Sequence, residues 1–149
     1  MNNEIYVRLA NKDDLTQIVE IEKSCFLIHD FNRRQLNYLL THAKALNLVI
    51  VNKQKLVGYC IGLIRNKSWL RLYSIAVLTQ HTGLGSQLIS SLEQQARAQG
   101  FTKISLEVRK DNATAQQFYT KHGYRIVGEY QNYYADNMAA IRMLKSLTV

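Results

Sequence analysis

Apolar residues recur along this chain with two different periods. Ile5, Val7 and Leu9 alternate with polar neighbours, the spacing of a half-buried strand over Glu4–Leu9. Leu15, Ile18, Val19 and Ile21 follow at helical spacing, which predicts a helix capped by Asn11 or Asp13 and running to about Ser24. A second helical stretch covers Phe31–Ala43, with Leu36, Leu39 and Leu40 inward. Strands are then expected over Leu46–Val51, Leu56–Ile64 and Trp69–Val77, the first two joined by a turn at Lys53-Gln54. The helical period returns over Leu84–Gln99, where Leu84, Leu88, Leu92 and Ala96 share one side and Gly100 ends the element as a C-terminal cap. Ile104–Val108 alternates cleanly. Asp111 or Asn112 caps a short helix reaching His122, Gly123 terminates it, and the last strands are Tyr124–Tyr130 and about Met138–Leu147.

The order β-α-α-β-β-β-α-β-α-β-β predicts an α/β (α+β) fold. A three-strand meander followed by one strand–helix–strand unit implies a mixed, mostly antiparallel sheet of about seven strands with helices on both faces. Proline is absent, and no linker or repeat interrupts the 149 residues, so residues 1–149 are expected to form one domain with a full core.

Composition narrows the class. Hydrophobic residues make up 47% and charged residues 20%, a globular balance, and no apolar run nears the roughly 20 residues of a membrane span. The first residues carry no basic-then-apolar export signal. Cys25 and Cys60 lie among apolar neighbours, as reduced core residues do, so a cytoplasmic protein is expected. His29, His42, His81 and His122 stand at no chelating offset, so no metal is expected. The net charge of +8 is placed unevenly: between Asp30 and Glu93 there is no acidic residue but there are eight basic ones, Arg33, Arg34, Lys44, Lys53, Lys55, Arg65, Lys67 and Arg71. Such a belt attracts anions or serves solubility. No nucleic-acid motif accompanies it, so direct nucleic-acid binding is not expected.

The stretch Gln80-His81-Thr82-Gly83-Leu84-Gly85-Ser86 lies between the strand ending at Val77 and the helix beginning at Leu84. Glycines there let the backbone approach phosphate oxygens, and free N–H groups at a helix start point at them. This names a phosphate-bearing cofactor as the ligand class, although an ordinary strand–turn–helix corner uses the same residues.

The element order, the loop Gln80-x-x-Gly83-x-Gly85, and the series Leu106-Glu-Val-Arg109, Asp111-Asn112-Ala-x-Ala115, Phe118-Tyr119, His122-Gly123-Tyr124 and Asn132-Tyr133-Tyr134 resemble the GNAT superfamily of acetyl-CoA-dependent N-acetyltransferases. The later segments resemble its RimI-type branch, which acetylates the N-terminal amine of a ribosomal protein. The likeness is strongest from about Leu72 to Tyr134. Three features depart from it. The link from Val77 to Gly83 is short and lacks the usual proline, Phe26–Phe31 lacks a Pro-Trp pair, and Met138-Ala139 replaces an acidic pair. The last two fall where that family usually holds its acceptor.

The resemblance implies acetyl-CoA as cosubstrate, with its pyrophosphate on the backbone of His81, Thr82, Gly83, Leu84, Gly85 and Ser86. It implies that the pantetheine arm lies along Ile75, Ala76 and Val77, with Asn112 holding a pantetheine amide. Glu107 is the candidate base that takes the amine proton, since alternation turns it away from Ile104, Leu106 and Val108. Tyr119 is the candidate acid for the leaving thiolate, a role that implies a hydrogen-bond partner for its phenol. Tyr133 and Tyr134 could wall the acceptor site. An α-amine near pKa 8 is easier to deprotonate than a lysine near 10.4 by about 3 kcal/mol, which favours a protein N-terminus over lysine. A small-molecule amine acetyltransferase of the same fold is the alternative. A non-catalytic CoA-binding protein needs neither Glu107 nor Tyr119 to act, and on any of these readings a monomer or homodimer is expected.

Overall fold

The computed structural model describes residues 4–25, 33–42, 44–79 and 82–148. Their elements follow the expected order. They are β1 (Ile5–Leu9), α1 (Leu15–Cys25), α2 (Arg33–Thr41), β2 (Ala45–Asn52), β3 (Lys55–Ile64), β4 (Trp69–Val77), α3 (Leu84–Ala98), β5 (Lys103–Arg109), α4 (Ala113–Lys121), β6 (Arg125–Tyr130) and β7 (Ala140–Ser146). Phe31 and Ala43, the expected ends of the second helix, lie outside the described residues. The first helix is preceded by a 3-10 turn over Lys12–Asp14. Asn11 is its cap: the side chain accepts from Asp13 N–H, while the Asp14 carboxylate accepts from Asn11 N–H at 2.8 Å. At α4 the cap is Asn112, whose side chain accepts from Ala115 N–H.

The seven strands lie in the order β1-β2-β3-β4-β5-β7-β6, and β4–β5 is the parallel pair that the strand–helix–strand unit requires. One face of the sheet packs Leu88, Ile89, Leu92 and Ala96 of α3 and Tyr119 of α4 against Leu48, Leu70, Leu72, Ile104, Leu106 and Met143. The other packs Leu15, Ile18 and Ile21 of α1 and Leu36 of α2 against Val49, Tyr59, Ile61 and Ala76. β7 begins later than its apolar pattern suggests. The Met138 carbonyl accepts from both Tyr133 and Tyr134 N–H, which holds Met138 in the preceding turn.

One irregularity shapes the rest. Ser74 faces Ile61 across the β3–β4 pair and Leu72 faces Gly62, so Tyr73 is an extra residue on β4. Such a bulge bends its strand. β4 pairs with β5 only from Trp69–Leu72 against Lys103–Leu106, and beyond that the two strands have no mutual pairing. Gly58 lets the far end of β4 sit close: a Cβ there would lie 2.8 Å from Val77 Cγ1 and 2.9 Å from the Ala76 carbonyl oxygen. The bulge also shifts the alternation. Leu70 and Leu72 face the α3 core before it, Ile75 and Val77 pack toward that core after it, and Ala76 turns beneath α1.

Candidate active site at the strand split

The backbone that β4 leaves unpaired has a definite direction. Leu78 N–H donates to the Val57 carbonyl of β3 at 2.8 Å. By strand alternation Ala76 also turns its backbone groups to β3, whereas those of Ile75 and Val77 point into the split. All three residues line the larger cleft. Of the three, Ile75 and Val77 are therefore the ones able to offer backbone hydrogen bonds. The Val77 carbonyl also accepts from the Cys25 thiol at 3.2 Å.

This larger cleft, about 540 Å³, runs from Cys25 and the end of β4 past the N-terminus of α3 to α4. Gly83 caps α3 at φ +83°, a left-handed conformation that an L side chain resists. Thr82, Gly83, Leu84, Gly85, Ser86, Asn112 and Tyr119 all line the cleft, while Gln80 and His81 lie outside the described residues. The N–H groups of Leu84, Gly85 and Ser86 have no acceptor among the described residues, as a helix start leaves them, and no acidic side chain stands in that first turn. Ser86 Oγ and His122 Nε2, 3.0 Å apart, tie the start of α3 to the end of α4. Burial lowers the His122 pKa, which favours the neutral ring.

Tyr119 is buried against Phe118 and Tyr124, its ring edge-on to each. Burial raises its pKa above the ordinary 10, and Cys60 and Tyr134 add to the rise, so the phenol keeps its proton at neutral pH. Its hydroxyl makes no hydrogen bond among the described residues, unlike the sequence expectation of a partner. Asn112 uses its side-chain oxygen for the cap, which leaves its amide N–H groups facing outward. Cys60 is buried and free, with its thiol pushed up to about 12 by burial. Cys25 departs from the core role expected of it, being only partly buried and lining the cleft.

Glu107 lies on the other face, in a smaller cleft of about 250 Å³ lined by Arg65, Trp69, Arg71, Glu107, Tyr130, Tyr133 and Arg142. Leu106 and Val108 point into the α3 core, so alternation sends Glu107 the opposite way. Arg71 donates to its Oε1 from Nε at 2.7 Å and lies 2.6 Å away through Nη2, and Arg142 Nε lies 3.5 Å from Oε2. Two tyrosines fix the arginines in turn. Arg71 donates to the Tyr133 hydroxyl at 3.0 Å and Arg142 to that of Tyr130 at 2.8 Å. Tyr134 does not line this cleft. Its ring packs edge-on to Tyr133 and beneath the Arg109 guanidinium. Of these residues the sequence alone points to Glu107 and Tyr133 and gives Arg71 only a place in the basic belt, while Arg142, Trp69 and Tyr130 go unmarked. The available signal was a charge inside an apolar strand, as in Leu70-Arg71-Leu72 and Ile141-Arg142-Met143.

The two clefts face opposite sides of the sheet, and the unpaired part of the β4–β5 junction separates them. A ligand reaching through that split would bring its end from the backbone-lined side toward the carboxylate on the other. On the side of the smaller cleft, side-chain contacts run Glu107–Arg71–Tyr133–Tyr134.

Comparison with known proteins identifies the family and the fold. The acetyltransferase (GNAT) family profile matches residues 13–124. A Bacillus subtilis protein provisionally named a ribosomal protein bS18-alanine N-acetyltransferase is 31% identical over 140 residues, covering 92% of this chain and 91% of its own length. Among solved structures, the ribosomal-protein-alanine N-acetyltransferase of Escherichia coli superposes with a TM-score of 0.89 at 23% identity, over 97% of this chain and 95% of that one. The yncA protein of Salmonella typhimurium, provisionally named an acetyltransferase and solved with its cofactor acetyl-CoA, superposes with a TM-score of 0.81 at 18% identity, over 98% of this chain and 95% of its own.

Proposed function

The chain belongs to the acetyltransferase (GNAT) family, and from that premise we propose that it moves an acetyl group from acetyl-CoA to a protein N-terminal α-amine, by direct transfer in a ternary complex. The observation that carries this reading is the split: two strands that pair at one end and part at the other, with backbone groups turned away from β3 on one side and an arginine-held carboxylate on the other.

The residues present suit acetyl-CoA. The three free N–H groups at the start of α3 and the glycine at its cap suit a pyrophosphate. The edge of Ile75 and Val77 suits the amides of an extended pantetheine arm, as an added strand would, and the Asn112 amide N–H groups suit a pantetheine carbonyl. Bound there, acetyl-CoA supplies an activated acyl group as a thioester. The chain then has three tasks. A backbone N–H at the split polarises the acyl carbonyl. Glu107 accepts the proton of the attacking ammonium, directly or through a water, and Arg71 and Arg142 hold it in place. Tyr119, kept protonated by burial, returns a proton to the departing sulfur. Cys25 has no part as nucleophile: burial and the nearby Glu22 raise its pKa, which disfavours the reactive thiolate.

The choice of an N-terminal amine rests on the likeness to the bS18-alanine acetyltransferases and on the lower pKa of an α-amine. The test is mass spectrometry of products after incubation with acetyl-CoA and a panel of peptides, peptides carrying lysine with a blocked N-terminus, and small amines. Acetylation confined to free peptide N-termini is expected. Acetylation of the small amines alone would overturn the choice of acceptor.

A further inference from the structure

The face on which Glu107 lies carries more than a base. α1 and α2 pack over β2, β3 and β4, and among the described residues no helix packs on that face of β5, β7 and β6. The uncovered surface is basic at one end. Trp69 has three cations around its ring: Lys103 Nζ and the guanidinium of Arg142 each 5.1 Å from the centroid, and that of Arg65 at 5.8 Å. Arg142 is committed to Glu107 and Tyr130. Arg65 and Lys103 have no carboxylate within ion-pair distance among the described residues. Asp111 and Asp136, at the far end of β5, are engaged with Arg109.

Charge is therefore graded along β5. Arg109 sits between two aspartates at one end, Glu107 sits between two arginines, and Lys103 stands beside Trp69 and Arg65 at the other end. Glu107 and Lys103 share a face and are four residues apart, about 13 Å along the strand. A peptide whose amine meets Glu107 and whose chain runs along β5 toward Lys103 would lay its second or third side chain toward Arg65 and Lys103. A free amino acid cannot span that distance, because its carboxylate lies next to its amine and would meet only arginines that Glu107 already occupies.

Resting on the proposed N-terminal acetylation, we infer that the acceptor peptide carries an acidic side chain at its second or third position, held by Arg65 and Lys103 over Trp69. Such contacts between partly exposed charges are individually weak and sensitive to salt, so the effect is a preference rather than an absolute requirement.

The experiment measures kcat/KM for hexapeptides that are identical except for Asp, Gln or Arg at position two or three, with free glutamate as a further arm. At low ionic strength the Asp peptide is expected to exceed the Gln peptide by about fivefold, and the Gln peptide to exceed the Arg peptide by a similar factor. Added salt should compress both ratios. Arg65→Glu, at an exposed position, should reverse the order. Equal turnover of all the peptides, or preference for Arg, overturns the inference and leaves N-terminal acetylation standing. Turnover of free glutamate but of no peptide overturns it as well, and with it the choice of a peptide acceptor. No turnover of any amine overturns the functional reading itself.

Discussion

The two clefts are built from different materials. The larger one offers main chain beside its side chains: the edge of Ile75 and Val77 and the N–H groups at the start of α3, which have no acceptor among the described residues. The smaller one is made of side chains that hold one another, with Glu107 between Arg71 and Arg142 and the two arginines anchored by Tyr133 and Tyr130. Main-chain groups exist whatever the side chains are, so the first site tolerates sequence change as long as the backbone path is kept. The second depends on each residue. The difference teaches that one surface suits a constant ligand and the other can be retuned to an acceptor.

The most severe break comes at the chemistry. Glu107→Gln should lower kcat by about 10² to 10³-fold while leaving the KM for acetyl-CoA nearly unchanged, because the amide cannot accept the amine proton. Steady-state kinetics with the preferred peptide would check it. A wild-type rate in this variant would remove Glu107 from the mechanism and reduce the smaller cleft to a salt-bridged surface.

Gly58→Val strikes the backbone side instead. Its side chain must displace Val77 and the Ala76 carbonyl, so a loss of roughly 2–3 kcal/mol in stability is expected, with a raised KM for acetyl-CoA. Denaturant melts and cofactor titration would separate the two effects. A variant that binds the cofactor normally would show that the path of β4 is not what sets the larger cleft.

A smaller effect is expected from Gly83→Ala. Forcing a Cβ into φ +83° costs about 1 kcal/mol, and the strain falls on the turn that presents the free N–H groups. The KM for acetyl-CoA should rise several-fold while acceptor preference stays as it was. A change in acceptor preference would contradict the division between the clefts.

The mildest test is alkaline pH. Burial holds the Tyr119 pKa above its ordinary value of 10, so the folded chain binds that proton more tightly than the unfolded one. The stability it contributes is complete below pH 10 and declines as pH rises beyond it. Thermal melts should show this decline, and Tyr119→Phe should flatten it. Between pH 7 and 9 no fall in kcat should come from loss of this proton.

Much of this architecture was legible in one dimension. β4 was bounded at Trp69 and Val77 by its apolar run, and α4 by Gly123 and by Asp111 or Asn112, of which the structure uses Asn112, because caps and periodicity are local properties. The Gly83 corner and Glu107 were legible for the same reason. The basic belt was not. Lys53 and Lys55 fall at the β2–β3 turn and Arg65 and Lys67 at the β3–β4 loop, opposite ends of β3, so the continuous run of charge divides in space. Arg142 lies far along the chain from Arg71, and only the β5–β7 pairing brings it beside Glu107.

By itself the sequence determined the kinds and order of elements, the helix ends and the glycine-bearing corner, since each follows from hydrophobic period or from the φ that a residue allows. Tertiary structure decided the extra residue at Tyr73, the parting of β4 from β5, and the grouping of Trp69 with cations from two other strands and a loop. Those features depend on pairing register between distant segments, and register is settled only when both partners and the core beneath them are in place.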